Sequence, residues 1–184
     1  MGKITLVSGG MRSGKSTFAE QALKDETSIL YIATSMITDD EMEERVRLHK
    51  ERRGSKYHTH EGHTHLDQVV KASNESASLF ECMGTFITNR MFDILGNRAI
   101  EVLSRDDIRD IENLIVDEVE KLLKEMKNTD KINIIITNEV GLTLISEYKL
   151  SRVFTDILGR VNQLIASIAD DVYFVISGIP MKIK

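Results

Sequence analysis

Eight residues near the start of the chain, Gly9-Gly10-Met11-Arg12-Ser13-Gly14-Lys15-Ser16, carry the densest chemistry in the sequence. Glycine, four free positions, then glycine, lysine and serine is the spacing of a loop whose backbone N–H groups wrap a phosphate while the following helix aims its positive dipole end at the same anion. Gly9, Gly10 and Gly14 allow the tight path. Lys15 would bridge the outer phosphates of a nucleoside triphosphate, and the Ser16 hydroxyl would complete a magnesium site. All eight residues are therefore candidate nucleotide-binding positions. The competing reading is a glycine-rich turn with an incidental lysine. The flanks favour the phosphate loop, because residues 3–8 form a short β-rich run and residues 16–23 open an amphipathic helix.

Two carboxylates stand at the ends of apolar runs. Glu81 follows Ala77-Ser78-Leu79-Phe80, where phosphate-loop proteins keep the acid that orients magnesium, and Glu139 follows the apolar run 131–137. Each alone reads equally well as a solvated loop residue; together with the loop, Glu81 becomes the favoured magnesium-side carboxylate. Thr34 and Ser35 fall at another strand end, and with Glu139 they are further candidate nucleotide-binding positions. All five histidines, His49, His58, His60, His63 and His65, lie within seventeen residues. Three readings stand: a histidine-rich metal site of a nucleotide-dependent metallochaperone, one histidine acting as a nucleophile toward phosphorus, or exposed, locally bonded rings. His49 differs from the others in riding a predicted helix, four residues after Arg45 and on its face.

The elements that would position these residues alternate. Strands are predicted at 3–8, 28–34, 57–61, 77–82, 131–137 and 171–177. Helices are predicted from the loop to 24, from a cap at Asp39 or Asp40 through Arg53, and over 64–72, 85–95, 106–127 with Asp106 as cap, and 149–168. In the 106–127 helix, Ile108, Ile111, Leu114, Ile115, Val119 and Leu122 share one side. Gly178-Ile179-Pro180 reads as the end of regular structure. Buried strands alternating with helices imply an α/β fold, a mainly parallel sheet with helices on both faces, and ligands at the carboxyl ends of its strands.

At 184 residues, with no composition break, repeat or linker, the chain reads as one domain, 1–184. No apolar run is long enough to span a membrane and the first residues lack a signal-peptide layout, so a cytoplasmic location is expected. The single cysteine, Cys82, excludes an internal disulfide and a multi-cysteine metal centre. A net charge of −5 argues against a sequence-independent nucleic-acid binder. The cluster Arg45, Arg47, Lys50, Arg52 and Arg53, interleaved with Glu43, Glu44 and Glu51, suits either a small anion or a solvated helix face.

Several separated stretches, in order, resemble one family along nearly the whole chain: the phosphate loop, Leu30-Tyr31-Ile32-Ala33-Thr34-Ser35, Asp39-Asp40-Glu41-Met42 with Arg45 and His49-Lys50, Glu81-Cys82 with Asn89, Thr137-Asn138-Glu139-Val140-Gly141, Gly159-Arg160-Val161-Asn162-Gln163, and Val175-Ile176-Ser177-Gly178-Ile179-Pro180. The chain resembles the bifunctional adenosylcobinamide kinase/adenosylcobinamide-phosphate guanylyltransferases of cobalamin biosynthesis. The resemblance implies a P-loop NTPase fold of the RecA-like kind, assembled as a homotrimer. It implies phosphorylation of adenosylcobinamide with ATP or GTP, then transfer of GMP from GTP onto adenosylcobinamide phosphate with release of pyrophosphate. Mg2+ is the implied cofactor, Lys15 and Glu81 are catalytic, and the residue that becomes guanylylated matches His49. Neutral imidazole is the attacking form, so that step weakens as His49 is protonated. An enzyme keeping only one of the two activities is the nearest alternative. The sequence departs from the family's pattern at Gly84, usually threonine, at Thr143 and Ser146, where a glycine and a proline are usual, and at Thr155, usually arginine. The missing threonine at Gly84 and arginine at Thr155 bear on substrate or phosphate contacts more than on nucleotide binding.

Overall fold

The structure is a computed structural model that describes residues 1–35 and 54–184. Seven strands, β1 (Lys3–Gly9), β2 (Ile29–Ala33), β3 (Tyr57–Glu61), β4 (Ala77–Glu81), β5 (Ile132–Ile136), β6 (Asp171–Ile176) and β7 (Ile179–Lys182), form one sheet in the order β3-β2-β4-β5-β1-β6-β7. Every neighbouring pair is parallel except β6 and β7. Five helices are described: α1 (Lys15–Ala22), α2 (Leu66–Ala72), α3 (Met83–Leu95), α4 (Arg105–Asn128) and α5 (Lys149–Ile168). Among the described residues no helix is long and apolar enough to cross a membrane.

Strand alternation divides the core in two. Ile4, Leu6, Leu30, Ile32, Phe80 and Ile135 face one side and pack under α2, α3, α4 and α5. Val7, Ile29, Tyr31, Leu79, Ile134 and Val175 face the other, against Ala19 and Leu23 at α1. Both faces of the central strands are thus buried, as their near-continuous apolar runs require. The polar pair inside the sheet is satisfied: Ser78 Oγ donates to Asn133 Oδ1 at 2.8 Å, and Asn133 Nδ2 donates to the carbonyls of Lys3, Met126 and Lys131.

Four sequence expectations need correcting. The long helix is capped by Ser104, not Asp106: the Ser104 hydroxyl accepts from Asp107 N at 3.1 Å while Asp107 accepts from Ser104 N at 2.9 Å, a reciprocal box that starts the helix one residue earlier. Its buried stripe is Ile111, Ile115, Val119, Leu122, Leu123 and Met126, and Leu114 is half exposed because it lies off that stripe. Regular structure does not end at Gly178-Ile179-Pro180. Ser177 and Gly178, with φ of 51° and 83°, make a two-residue hairpin turn, and β7 returns along β6 as the sheet's edge, where a proline is tolerated. Helix α3 also begins at Met83, two residues before its expected start, directly after Cys82. The helix expected from Asp39 or Asp40 through Arg53, with His49, lies outside the described residues.

Candidate active site

Residues 10–14 leave the carboxyl end of β1 and enter α1 without an intervening element, which turns the first helical N–H groups toward the loop. Gly9 and Gly14 are needed here. A Cβ on Gly9 would stand 2.4 Å from Val175 O, and Gly14 has φ 100° with Gly178 Cα 3.1 Å from its Cβ position. The hairpin turn props the loop from below, since Gly178 N donates to Ser13 O at 2.8 Å. Arg12 takes a left-handed φ of 56°, and Met11 and Gly10 are exposed at the tip. Ser13 Oγ is buried with no hydrogen-bond partner among the described residues, a spare donor within the cradle.

Lys15 is buried, and its ammonium donates to Gly9 O at 3.0 Å and Gly10 O at 2.7 Å. Burial lowers its pKa, with the Cys82 and Glu81 charges pulling the other way. The loop therefore holds its own cation ready where a phosphate would take over from the two carbonyls. Gly9 O also accepts from Glu139 N at 3.1 Å, which ties the end of β5 to the loop.

Glu81, the last residue of β4, meets the start of α1. Its Oε1 accepts from Ser16 Oγ at 2.5 Å and its Oε2 from the Tyr31 phenol at 2.9 Å. The Glu81–Cys82 peptide bond is cis. Thr34 is buried, and its hydroxyl is engaged by the carbonyls of Glu81 and Cys82 and by Thr85 Oγ1 at 2.6 Å, while it accepts from Cys82 N at 3.1 Å. Asn89 Nδ2 donates to Thr34 O at 2.6 Å. Thr34 thus braces the segment that presents Glu81, and Ser35 follows it at the strand end. Glu139 Oε1 accepts from Gly141 N at 2.6 Å and shapes its own turn. The structure brings together Lys15, Ser16 and Glu81 at one mouth. Sequence reasoning gave Tyr31 and Thr85 no role, although a phenol in an otherwise apolar strand must find a polar partner.

The described histidines do not form a metal cluster. His58 Nδ1 pairs with Glu75 Oε1 at 2.9 Å, and His63 Nε2 with Asp93 Oδ2 at 2.8 Å. Asp93 also accepts from Arg90, which makes a bidentate pair with Glu118. Among the described residues no three His, Cys, Asp or Glu groups can hold one metal ion, so the metallochaperone reading finds no support there. His58 ties β3 to the turn before β4, and His63 ties the segment after β3 to α3.

Comparisons with known proteins agree with this geometry. A family model described as cobinamide kinase/cobinamide phosphate guanyltransferase matches residues 5–183. The chain is 42% identical over 183 residues to the bifunctional adenosylcobalamin biosynthesis protein CobU of Salmonella typhimurium and 40% identical to that of Escherichia coli, covering 98% of this chain and 99% of each relative. It is 31% identical to the bifunctional adenosylcobalamin biosynthesis protein CobP of Pseudomonas aeruginosa, over 97% of this chain. Among solved structures, a type III secretion ATPase of pathogenic bacteria superposes with a TM-score of 0.59 at 11% identity, over 99% of this chain and 57% of that one, a likeness of fold alone. The fold is that of the P-loop NTPases, and by the extent of these matches the chain belongs to the cobinamide kinase/cobinamide phosphate guanyltransferase family.

Proposed function

We propose that this chain phosphorylates the hydroxyl of adenosylcobinamide with ATP or GTP, and then moves GMP from GTP onto the resulting phosphate through a guanylylated His49. The observation that supports it most is the meeting of Lys15, Ser16 and Glu81 at the mouth of the phosphate loop. In the kinase step the acceptor oxygen attacks the γ-phosphorus, the β–γ bridge breaks and the nucleoside diphosphate leaves, with the hydroxyl proton released. In the nucleotidyl step a neutral imidazole nitrogen of His49 attacks the α-phosphorus, pyrophosphate leaves, and the acceptor phosphate displaces the histidine. Lys15 follows the phosphate charge in both, and the backbone N–H groups of residues 10–16 orient the chain of phosphates.

The oxygens of Ser16 and Glu81 suit a hard divalent cation, and these residues would hold Mg2+, which when bound supplies charge neutralisation at the phosphates. A cytoplasmic location, a single catalytic domain and a homotrimer belong to the same proposal. Supplying adenosylcobinamide and adenosylcobinamide phosphate separately, each with GTP, tests it. The expected products are the phosphate and then adenosylcobinamide-GDP from the first, and adenosylcobinamide-GDP with pyrophosphate from the second. Lys15→Met is expected to slow both by about 10²-fold or more. Conversion of only one substrate would reduce the reading to one activity, and conversion of neither by GTP-binding protein would overturn it.

A further inference from the structure

A groove of about 670 Å3, open to solvent along one side, runs between α3, the loop that follows β5 and the first turns of α5. Its volume lies in the range of small-molecule sites. Three large apolar side chains on its wall stand in water: Phe92 at 51% exposure, Leu144 at 96% and Ile145 at 90%. Thr88, Thr143 and Ser146 place hydroxyls among them; Thr88 and Thr143 donate to Gly84 O and Val140 O and Ser146 accepts from Tyr148 N, and each oxygen keeps a lone pair for a ligand donor. Among the described residues the formal charges on the lining are Arg152 and Asp156, which cancel. Arg152 is also spent on the loop itself, donating to Ser146 O at 2.8 Å and Glu147 O at 2.7 Å. Such a lining suits an uncharged ligand with broad apolar faces and hydrogen-bonding edges, and it offers nothing to a triphosphate.

The groove's inner end reaches the start of α3 at Gly84, three residues after Glu81. Phe154 lines it, and the ring lies 3.8 Å from where a Cβ on Gly84 would stand, with the Asn138 amide at 3.5 Å and Cys82 Sγ at 3.8 Å. Thr88 Oγ1 donates to Gly84 O at 3.0 Å. The inner end of the groove therefore abuts the segment that carries Glu81 to Ser16. The four departures noted in the sequence converge here: Thr143, Ser146 and Thr155 line the groove, and Gly84 stands at its inner end.

We propose that this groove seats the macrocycle of the acceptor, a corrinoid whose apolar faces and amide rim match the lining, with its reacting arm directed along Gly84 toward Glu81 and the phosphate loop. This rests on the functional reading above and adds where the acceptor binds and which residues tune its selection. Equilibrium dialysis of cobinamide against the full chain and against Phe92→Ser and Ile145→Ser, which lie on separate elements, provides the test. Melting curves and the affinity for a fluorescent GTP analogue verify the fold of each variant. Cobinamide is expected to bind the variants about tenfold more weakly, the effect of losing one buried apolar contact, with GTP affinity unchanged. An unchanged cobinamide affinity in folded variants overturns the proposal. If those variants instead lose self-association in sedimentation while cobinamide binding persists, the groove is a contact between copies and the proposal is likewise overturned. Parent protein that binds GTP but not cobinamide overturns the functional reading itself, a different result from the first.

Discussion

Glu81 reaches the phosphate loop with each carboxylate oxygen accepting a hydrogen bond, one from Ser16 and one from Tyr31. A carboxylate at a strand end has several rotamers open to it, and two donors from different elements select one. Tyr31 is buried to 6% exposure, so its hydroxyl needs an acceptor, and it meets that need by aligning the acid. Tyr31→Phe keeps the ring and removes the alignment. The expected outcome is a roughly three- to tenfold loss of the Mg2+-dependent gain in GTP affinity, about one charge-assisted hydrogen bond, with Mg2+-free affinity unchanged. Titration of a fluorescent GTP analogue with and without Mg2+ measures it, and an unchanged ratio would make Tyr31 a packing residue only. At this scale the loop residues were legible because their backbone roles are written in glycine spacing. The bonds around Glu81 were not, nor any role for Tyr31 and Thr85, because these side chains meet Glu81, Thr34 and Asn89 only after parallel pairing aligns Ala33 with Glu81.

The opposite, amino end of the sheet is held by a charged clasp between elements. Glu75, before β4, accepts from Ser73 and pairs with His58 of β3, while Lys131, before β5, donates to Ser73 O at 2.6 Å and Ser73 Oγ at 3.1 Å. The hydrogen bonds from Ser73 and His58 hold the Glu75 carboxyl down from 4.5 to about 2. A depressed carboxylate stabilises the fold fully above its unfolded value, and the contribution is lost as pH falls from about 4.5 toward about 2. Glu75→Gln is expected to cost about 1–2 kcal/mol at pH 7, with the gap to the parent closing over that window. Urea denaturation in pH steps measures the gap, and a constant difference down to pH 2.5 would contradict the clasp. Element types were legible from periodicity, since α5 and β3 begin and end where the pattern places them. The hairpin of β6 and β7 was missed because Pro180 reads as a breaker when its strand is not known to be an edge. Ser104 was passed over as a cap because Asp106 is an equally good capping type, and only geometry chooses between them.

Across the whole molecule, the carboxyl ends of β1, β2, β4 and β5 bring the loop, Thr34, Glu81 and Glu139 to one edge, which is where a parallel sheet exposes its functional loops. The groove proposed for the acceptor reaches Gly84, so in that proposal nucleotide and acceptor approach one cradle from neighbouring directions. In the proposed function one phosphate loop serves two chemistries: the γ-phosphate would pass to the acceptor, and the α-phosphate would pass first to the protein. The second transfer leaves a covalent trace. Fragment mass spectrometry of the protein after incubation with GTP and Mg2+ reads that trace directly. An acid-labile GMP adduct on His49, absent from His49→Ala and Lys15→Met, is the predicted result, and GTP-bound protein that carries no adduct on His49 would contradict it.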